Sequence, residues 1–291
     1  MNEPEAVKTE SLSIIMPARN EAAVVGGIVS RARKQFPDAE ILVVDDGSDD
    51  DTASVAANAG ARVIRHPVRL GNGAAVKSGA RAATGTLLAF MDADGQHAPE
   101  DIGQLLDRVD AGFDMAVGAR DSGSHASVGR LFANGFYNSL ASAISGHRIL
   151  DLTSGFRVAK ADLVRRFLYL LPNGFSYPTT LTMAFLRSGH PIDFVPIQAS
   201  RRVGKSHIRP LRDGVRFFVI IFKIATLYSP LKIFLPISAG FFLTGLGYYG
   251  YTYVTMGRFT NMSLLVFSAS VIIFLIGLIS EQITALTYSK S

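Results

Sequence analysis

Two aspartates separated by one residue follow an apolar run, a spacing that suits metal-assisted chemistry. The run Leu87–Met91 has the length and composition of a strand buried on both faces, and it ends at Asp92 and Asp94. In an open parallel sheet, ligands gather at the carboxyl ends of the strands, so both carboxylates would project into a crevice. Two carboxylates repel each other unless a cation lies between them. Oxygen-only ligands suit Mg²⁺ or Mn²⁺, which take further ligands from water and substrate phosphates, so we expect a metal-bound diphosphate.

The alternative is a solvated turn, because Asp and Gly are both favoured in turns. Two other segments favour the ligand site, since they also place polar residues directly after apolar runs. Leu12–Met16 leads into Pro17-Ala18-Arg19-Asn20-Glu21, and Ile41–Val44 leads into the acidic run Asp45–Thr52.

The chain around these segments alternates strand and helix patterns. Strands are predicted at residues 12–16, 41–44, 62–65, 87–91, 115–118 and 192–197. Helices are predicted at residues 22–35, 52–59, 74–83, 99–111, 127–145, 161–169 and 179–187. Periodicity assigns no element to Asp151–Arg157. This alternation predicts an α/β fold with a mostly parallel, Rossmann-like sheet flanked by helices, and right-handed crossovers.

Composition points toward a membrane surface. The chain has 291 residues, no Cys, no Trp and a formal net charge of +5, with a pI near 9.5. Absence of Cys excludes a disulfide framework and a thiolate metal site. Basic residues crowd just before the apolar C-terminal end, which favours anionic lipid over nucleic acid as the partner. The N-terminal ten residues lack the apolar segment of a signal peptide.

Two C-terminal segments predict membrane-spanning helices. No charged residue lies between Lys232 and Arg258, or between Arg258 and Glu281, and these gaps hold 25 and 22 residues. Each is long enough to cross the hydrocarbon core as a helix, at about 233–256 and 260–281. Arg and Lys are abundant before the first span and sparse in the connecting turn, so the preceding domain is expected in the cytoplasm.

An amphipathic helix is predicted just before the spans. At 100° per residue, Arg212, Arg216 and Lys223 fall within roughly a 40° arc, opposite much of the Phe and Ile content. This pattern indicates an interfacial helix lying on the bilayer. The alternative is an amphipathic helix packed on the sheet.

The quoted motifs have the order and spacing of a known family. Pro17–Glu21, Asp45–Thr52, the Gly71–Lys77 loop and Asp92–Gln96 resemble the inverting glycosyltransferases of family 2, which have the GT-A fold. Within that family, the chain is similar to the polyprenyl-phosphate hexose synthases of the dolichol-phosphate mannose synthase type. The resemblance extends by motif from Leu12 to about His207, and the two-helix anchor fits the membrane-bound members.

The resemblance implies a role for each matching residue. Binding of the nucleotide sugar is implied for Pro17, Ala18, Arg19, Glu21, Asp45, Asp46, Gly73, Lys77, Asp92, Ala93, Gln96, Arg202 and Lys205. Asp46 has a purely structural role as its alternative. The metal ligands implied are Asp92, Asp94 and Gln96, with Asp94 as the main ligand. A glycine and a helix N-terminus would also suit a phosphate near Gly73.

The acceptor phosphate is assigned, by the same resemblance, to Arg120, Arg130, Asn134, Ser154 and Arg157. Asp94, Arg120 and Arg130 would carry catalysis. Arg202 to His207 resembles the mobile loop that closes over the diphosphate, although His207 stands where the family commonly has Lys. The alternatives are surface cations for Arg120 and Arg130, a buried ion pair for Arg157 and a solvated helix residue for Lys77.

The implied reaction moves a hexosyl unit from a UDP- or GDP-linked sugar to a polyprenyl (dolichyl or undecaprenyl) phosphate. Mg²⁺ or Mn²⁺ is the implied cofactor. The anomeric carbon would be inverted, at the cytoplasmic face of the cell membrane. The expected organisation is a tail at residues 1–10, a GT-A domain at 11–208, an interfacial helix at 209–229 and a two-helix anchor at 230–291. The apolar helices are also compatible with a homo-oligomer.

Rival functions differ in sequence features. A processive polysaccharide synthase would carry a Gln-x-x-Arg-Trp segment, and this chain has no Trp. A nucleotidyltransferase would have a Gly-rich loop after the first strand, where Pro17–Glu21 stands here. Transfer to a neutral lipid would require a general base. A catalytically inactive scaffold of the same fold is the alternative from outside enzymes, and the acid sets argue against it.

Overall fold

The computed structural model describes residues 11–120, 135, 138–143, 145–174, 176–197, 226 and 229–289, with only the backbone described at 288 and 289. Of the predicted interfacial helix, only residues 226 and 229 are among these residues. Two compact units divide the chain. The first contains the α/β domain, and the second contains residues 140–146 and the two C-terminal helices. The domain boundaries predicted above stay predictions.

Seven strands of the described residues form one sheet. The strands are β1 (Leu12–Ala18), β2 (Glu40–Asp45), β3 (Arg62–Arg65), β4 (Leu87–Phe90), β5 (Met115–Arg120), β6 (Arg157–Lys160) and β7 (Ile192–Ile197). Their order is β3-β2-β1-β4-β6-β5-β7. All neighbouring strands pair in parallel except β6, which is antiparallel to both β4 and β5.

The antiparallel strand β6 is the main departure from the predicted elements. It begins within the segment to which periodicity assigned no element, and Arg157 pairs with Phe90 of β4 and Val117 of β5. Four residues are too few to show a two-residue alternation, so pairing on both sides decides this strand. The start of β6 therefore lies at the same edge of the sheet as the ends of β4 and β5.

Helices follow the predicted positions closely in the described part of the domain. They are α1 (Ala22–Gln35), α2 (Thr52–Asn58), α3 (Asn72–Ala82), α4 (Ile102–Asp110), α5 (Ala161–Phe167) and α6 (Tyr177–Arg187). Short 3₁₀ turns at Pro99–Asp101 and Leu168–Leu170 replace the predicted α-helical ends. Of the helix predicted at 127–145, residues 138–143 are described, and they are helical.

Helices cover both faces of the sheet. On one face, Ile14, Met16 and Val43 pack with Val25 and Ile28 of α1 in a buried cluster. On the other face, α3 approaches so closely that a Cβ at Gly79 would collide with Ile15. Because helices bury both faces of the sheet, β1, β2 and β4 are almost continuously apolar.

The C-terminal unit is a helical hairpin of α7 (Leu231–Met256) and α8 (Asn261–Ser289). Both helices are long and apolar enough to cross a membrane, and little of either is buried within the protein. Gly257, at φ 64°, ends α7 in the left-handed conformation that glycine adopts without strain. These features confirm the prediction of two C-terminal apolar helices.

Small and polar residues pack the two hairpin helices together. The Ser238 and Ser270 hydroxyls each donate to the other residue's carbonyl oxygen at 2.9 Å. Gly277 approaches Phe234 so closely that a Cβ there would lie 2.5 Å from the Phe234 Cβ. Within α8, the Glu281 carboxylate accepts from the Leu231 backbone N–H at 3.2 Å, which satisfies an open donor in the first turn of α7.

Candidate active site

A cavity of about 300 Å³ lies at the carboxyl edge of the sheet. Eight of its lining residues belong to the set predicted to bind the nucleotide sugar or the metal, namely Pro17, Ala18, Arg19, Glu21, Asp46, Asp92, Ala93 and Asp94. They come from the ends of β1, β2 and β4, three adjacent strands. The structure therefore brings together segments that are up to 77 residues apart in sequence.

Three further lining residues were missed by the sequence reasoning. Arg69, Asn72 and Ala75 come from the β3–α3 connection and the first turns of α3. Their signal was weak, since periodicity marks this stretch only as a turn before a helix. The position of the connection, just beyond the carboxyl end of β3, is the feature that could have identified Arg69.

The aspartate pair is held by a tight turn directly after β4. Gly95 has φ 77°, a conformation that favours glycine, and the Gln96 backbone N–H donates to Asp94 Oδ1 at 3.1 Å. Asp92 lies against Gly155, where a Cβ would come within 3.4 Å of Asp92 Oδ2. The turn thus presents both residues to the cavity from a buried strand.

The carboxylates of Asp92 and Asp94 fit a hard divalent cation. Among the described residues, no group of three or more His, Cys, Asp or Glu side chains could hold a metal. Asp92 and Asp94 would supply two oxygen ligands, leaving positions for water and substrate phosphate, as Mg²⁺ and Mn²⁺ sites often do. Gln96 is half-buried and does not line the cavity, so its predicted metal contact stays a prediction.

The acidic run after β2 fastens the loop after β1. Backbone N–H groups of Asn20, Glu21 and Ala22 donate to Ser48 Oγ, Thr52 Oγ1 and Asp50 Oδ2, respectively. Asp50 thereby accepts at the N-terminus of α1, where a carboxylate is stabilised by the helix dipole. The side chains of Ser48, Asp50 and Thr52 therefore hold in place the loop that forms one wall of the cavity.

Asp45 and Asp46 have different surroundings. Asp45 is fully buried, accepts from the Ser48 backbone N–H at 2.9 Å and lies 3.3 Å from Arg65 Nε. It does not line the cavity. The Asp46 carboxylate accepts from the Leu70 and Gly71 backbone N–H groups at 2.8 Å each. The structural alternative for Asp46 thus has direct support.

At the N-terminus of α3, Gly73 and Lys77 lie against the 171–174 loop, and their predicted place near the nucleotide stays a prediction. A Cβ at Gly73 would collide with the Pro172 carbonyl oxygen, and the Ala74 backbone N–H donates to Asn173 O at 2.9 Å. Lys77 Nζ donates to Leu171 O at 3.1 Å and also to Asn173 Oδ1. The close approach that requires glycine is therefore made by the 171–174 loop. Lys77 holds that loop, and neither residue lines the cavity.

Arg120 ends β5 at the same edge of the sheet but does not line the cavity. Its guanidinium donates to Asp151 through Nε at 2.8 Å and to Thr153 Oγ1 through Nη2 at 2.8 Å. Burial lowers the pKa of Arg120, but the hydrogen bond and charge of Asp151 outweigh it, so the net pKa is raised. Arg120 is thus a charge-paired cation.

Four other predicted residues lie outside the described residues: Arg130, Asn134, Arg202 and Lys205.

Ser154 and Arg157 lie near this edge, and both are buried. Arg157 has no exposed surface and donates to Pro178 O at 3.1 Å, to Thr182 Oγ1 at 3.2 Å and to Ser154 O. Complete burial lowers the pKa of its guanidinium. The side chain of Arg157 packs inside the domain, and its predicted contact with the acceptor phosphate stays a prediction. The buried alternative fits, with carbonyl and hydroxyl partners in place of a carboxylate.

His97, to which sequence reasoning gave no catalytic role, also packs at this edge. Its ring stacks on Phe156 with centroids 4.9 Å apart and planes within 7°. Burial lowers the pKa of His97 to about 4, against the opposing influence of Asp94. The imidazole is therefore neutral at pH 7 and serves as a core ring beside the turn that carries Asp94.

Comparison with known proteins agrees with this arrangement. The family model "Glycosyl transferase family 2" matches residues 13–169, and the model "GtrB C-terminal hairpin" matches residues 229–286. A polyprenol monophosphomannose synthase of Mycolicibacterium smegmatis is 31% identical over 216 residues, covering 69% of this chain and 82% of that protein. A dolichyl-phosphate hexose transferase of Haloferax volcanii is 27% identical over 217 residues, covering 74% of this chain and 94% of that protein.

Solved structures show the same fold. The glucosyl-3-phosphoglycerate synthase of Mycobacterium tuberculosis, solved with Mn²⁺, UDP and glucosyl-3-phosphoglycerate, superposes with a TM-score of 0.59 at 22% identity. The match covers 74% of this chain and 80% of that one. At this identity the likeness speaks for the fold alone, which is GT-A. The chain belongs to glycosyltransferase family 2, with a GT-A domain followed by a GtrB-type C-terminal hairpin.

Proposed function

We propose that this protein transfers a hexosyl unit from a UDP- or GDP-linked sugar to a polyprenyl phosphate, with Mg²⁺ or Mn²⁺. The observation that carries the proposal is the cavity in which Asp92 and Asp94 meet the Pro17–Glu21 segment. The names of two relatives support the acceptor, because both describe polyprenyl-phosphate glycosylation. The hairpin would hold the enzyme where a lipid-linked acceptor is found.

The chemistry follows from charge. A phosphate monoester has a second pKa near 6, so the acceptor is already mostly a dianion at neutral pH and needs little help from a base. Its oxygen forms a bond to the anomeric carbon while the bond from that carbon to the diphosphate oxygen breaks. The electron pair leaves with the nucleoside diphosphate. In-line attack inverts the anomeric carbon, so an α-linked donor gives a β-linked product.

The residues of the site serve to position two anions. A divalent cation held by Asp92 and Asp94 would stabilise the charge that grows on the departing diphosphate. Arg19 and Arg69 add positive charge to the cavity wall. The positive charge of Arg120 is compensated by Asp151, so this residue would orient the acceptor phosphate more than neutralise its charge. The remaining repulsion would be offset by the predicted cations Arg130, Arg202 and Lys205.

We further propose that the hairpin spans the cell membrane twice and that the catalytic domain faces the cytoplasm. The support is the abundance of basic residues before the first span, against the single Arg258 in the connecting turn. The apolar exposed faces of α7 and α8 suit lipid, and they also leave room for a homo-oligomer. An accessibility assay on cysteines introduced in the turn and in the domain would test the orientation.

The decisive experiment supplies purified protein in detergent with a polyprenyl phosphate, Mn²⁺ or Mg²⁺, and a panel of UDP- and GDP-sugars. Products are identified by mass spectrometry. We expect a polyprenyl-phosphate hexose from one donor, lost in Asp94→Asn and kept in the control Asp107→Asn, which alters an exposed acid of α4. Full metal-dependent turnover by Asp94→Asn would reject the metal assignment. Donor hydrolysis without transfer would reject the acceptor, and absence of binding would favour the inactive scaffold.

A further inference from the structure

A chain of hydrogen bonds runs behind the cavity wall through a buried histidine. His66 Nδ1 lies 2.9 Å from Asp46 Oδ1, and His66 Nε2 lies 2.9 Å from Ser78 Oγ. The same carboxylate accepts from the Leu70 and Gly71 backbone N–H groups at 2.8 Å. The chain therefore ties helix α3 and the end of β3 to the β3–α3 connection.

The partners define the roles of the two ring nitrogens. A carboxylate only accepts, so Nδ1 donates to Asp46, and in the neutral ring Nε2 accepts from the Ser78 hydroxyl. Burial raises the pKa of Asp46, but the hydrogen bonds from His66 and the two backbone groups outweigh it, leaving the pKa lowered. Asp46 thus stays an acceptor at neutral pH.

The backbone fastened by this chain carries two lining residues of the cavity, Arg69 and Asn72. On the opposite side, Gly47 has φ 67°, and a Cβ there would lie 2.8 Å from Arg69 N. The connection is therefore confined between Gly47 and the Asp46 carboxylate. A shift of Asp46 would move Arg69 and Asn72 together.

We propose that His66 is a positioning residue of the nucleotide-sugar site, acting through Asp46 to set the cavity wall that carries Arg69 and Asn72. The ligand whose binding depends on this wall is a nucleoside diphosphate with its divalent cation. The inference rests on the proposed function, because it assigns the donor to this cavity. His66 itself does not line the cavity.

The protein contains a matched control for His66. His190 Nδ1 lies 2.8 Å from Asp114 Oδ2, a second histidine–aspartate pair, which Lys160 also joins. Asp114 precedes β5 and His190 precedes β7, at the opposite edge of the sheet from the cavity. Each carboxylate retains other donors when its histidine is replaced. His66→Phe removes the hydrogen bonds to Asp46 and Ser78, and His190→Phe removes the one to Asp114 at the opposite edge of the sheet.

The test measures binding of UDP and of GDP, each with Mn²⁺, to the full-length protein by calorimetry. For the nucleotide that wild type binds, we expect His66→Phe to raise Kd about tenfold, the scale of one hydrogen bond to a charged group. His66→Asn, whose amide can still donate to Asp46, should restore part of the loss. His190→Phe should stay within about twofold of wild type.

Two further readouts separate positioning from general destabilisation. In turnover assays, His66→Phe should raise the donor KM and leave kcat nearly unchanged, because the wall binds ground and transition states alike. In the background of Arg69→Gln, His66→Phe should weaken binding less than it does alone, since the two residues act through one wall. Where His66→Phe does not fold, Ser78→Ala takes its place, with an expected rise of about threefold in Kd.

Equal effects of His66→Phe and His190→Phe on Kd would overturn the inference while leaving the proposed function intact. An unchanged Kd in Ser78→Ala, where that variant replaces His66→Phe, would do the same. If wild type binds neither UDP nor GDP with Mn²⁺, the proposed function fails and the inference fails with it.

Discussion

The Arg120 guanidinium and the Asp151 carboxylate form a two-pronged ion pair, with Nε 2.8 Å from Oδ2 and Nη2 3.1 Å from Oδ1. The Asp151 side chain is 7% exposed and that of Arg120 is 32% exposed, so the carboxylate is the well-shielded partner. Burial acts to raise the pKa of Asp151, but the hydrogen bonds from Arg120 and Thr153 outweigh it and lower the pKa below its ordinary value. The charged form of Asp151 is therefore part of the folded state.

Asp151→Asn should lower the free energy of unfolding by about 2 kcal/mol at pH 7, because it removes one partner of a mostly buried pair. The stabilising contribution of a carboxylate with a lowered pKa is complete above its unfolded pKa of about 3.9 and is lost as the pH falls through the folded value. The gap between wild type and variant should thus close in acid. Chemical denaturation in detergent at a series of pH values measures it.

The control for this prediction is Asp193→Asn, which breaks the Arg108–Asp193 pair at 3.3 Å, where the side chains are 53% and 32% exposed. Exposed pairs contribute about 0–1 kcal/mol, so this variant should unfold almost like wild type. A loss in Asp193→Asn as large as in Asp151→Asn would show that burial of the pair is not what matters.

Gly73→Ala should destabilise the domain, because the added methyl group would collide with the Pro172 carbonyl oxygen. The helix or the 171–174 loop must then move, at a cost of roughly 1–3 kcal/mol. Gly27→Ala is the matched control, since Gly27 lies in α1 with no atom within 4 Å of the added Cβ. That variant should gain up to about 1 kcal/mol from helix propensity. Melting temperatures of both variants check the pair, and a stable Gly73→Ala would contradict the packing described for this loop.

His97→Phe should make stability less dependent on pH between 7 and 4. The folded pKa of about 4 lies below the unfolded value, so the unfolded chain binds a proton more readily and wild type loses stability as the pH falls. This loss is at most about 3 kcal/mol, from the difference between the folded value and the ordinary value of about 6.5. Phenylalanine does not titrate and can keep the stack on Phe156.

Denaturation curves of wild type and His97→Phe at matched pH values measure this difference, since the two proteins are identical at every other residue. Parallel pH profiles would show that His97 is protonated in the folded protein, contrary to its burial.

Gly277→Ile should disrupt the hairpin, because its side chain would occupy the place of Phe234. Helix pairs in lipid depend on close packing at small residues, so the loss should exceed about 1 kcal/mol. Gly247→Ile makes the same change on α7 where no atom lies within 4 Å of the added Cβ. Unfolding in mixed micelles compares the two, and equal stability of both variants would rule out the contact between Gly277 and Phe234.

Sequence reasoning predicted the α/β fold, the family and the two apolar helices, and these are confirmed. It succeeded where a pattern is local. The apolar run before Asp92 and the charge-free segments around Arg258 each carry their own signal. The residues assigned by resemblance stay predictions, although eight of them line one cavity.

The contacts that the structure gives to Lys77 and Arg157 were not predicted, because their partners are distant in sequence. Lys77 donates to Leu171 across 94 residues, and Arg157 donates to Thr182 across 25. Spacing within a motif contains no information about such partners. The same limit explains the missed strand β6, whose four residues are defined by pairing with β4 and β5.

The antiparallel direction of β6 has a consequence for how this family can diversify. The chain leaves the sheet after Arg120 and re-enters it at Arg157, and both points lie at the edge that bears Asp92 and Asp94. The segment between these two points therefore begins and ends at one edge of the sheet. Its last residues are constrained, since Asp151 pairs with Arg120 and Phe156 stacks on His97. Changes of length between Arg120 and Asp151 would leave the register of β5 and β6 unchanged, so relatives can differ in this segment while they keep the same sheet.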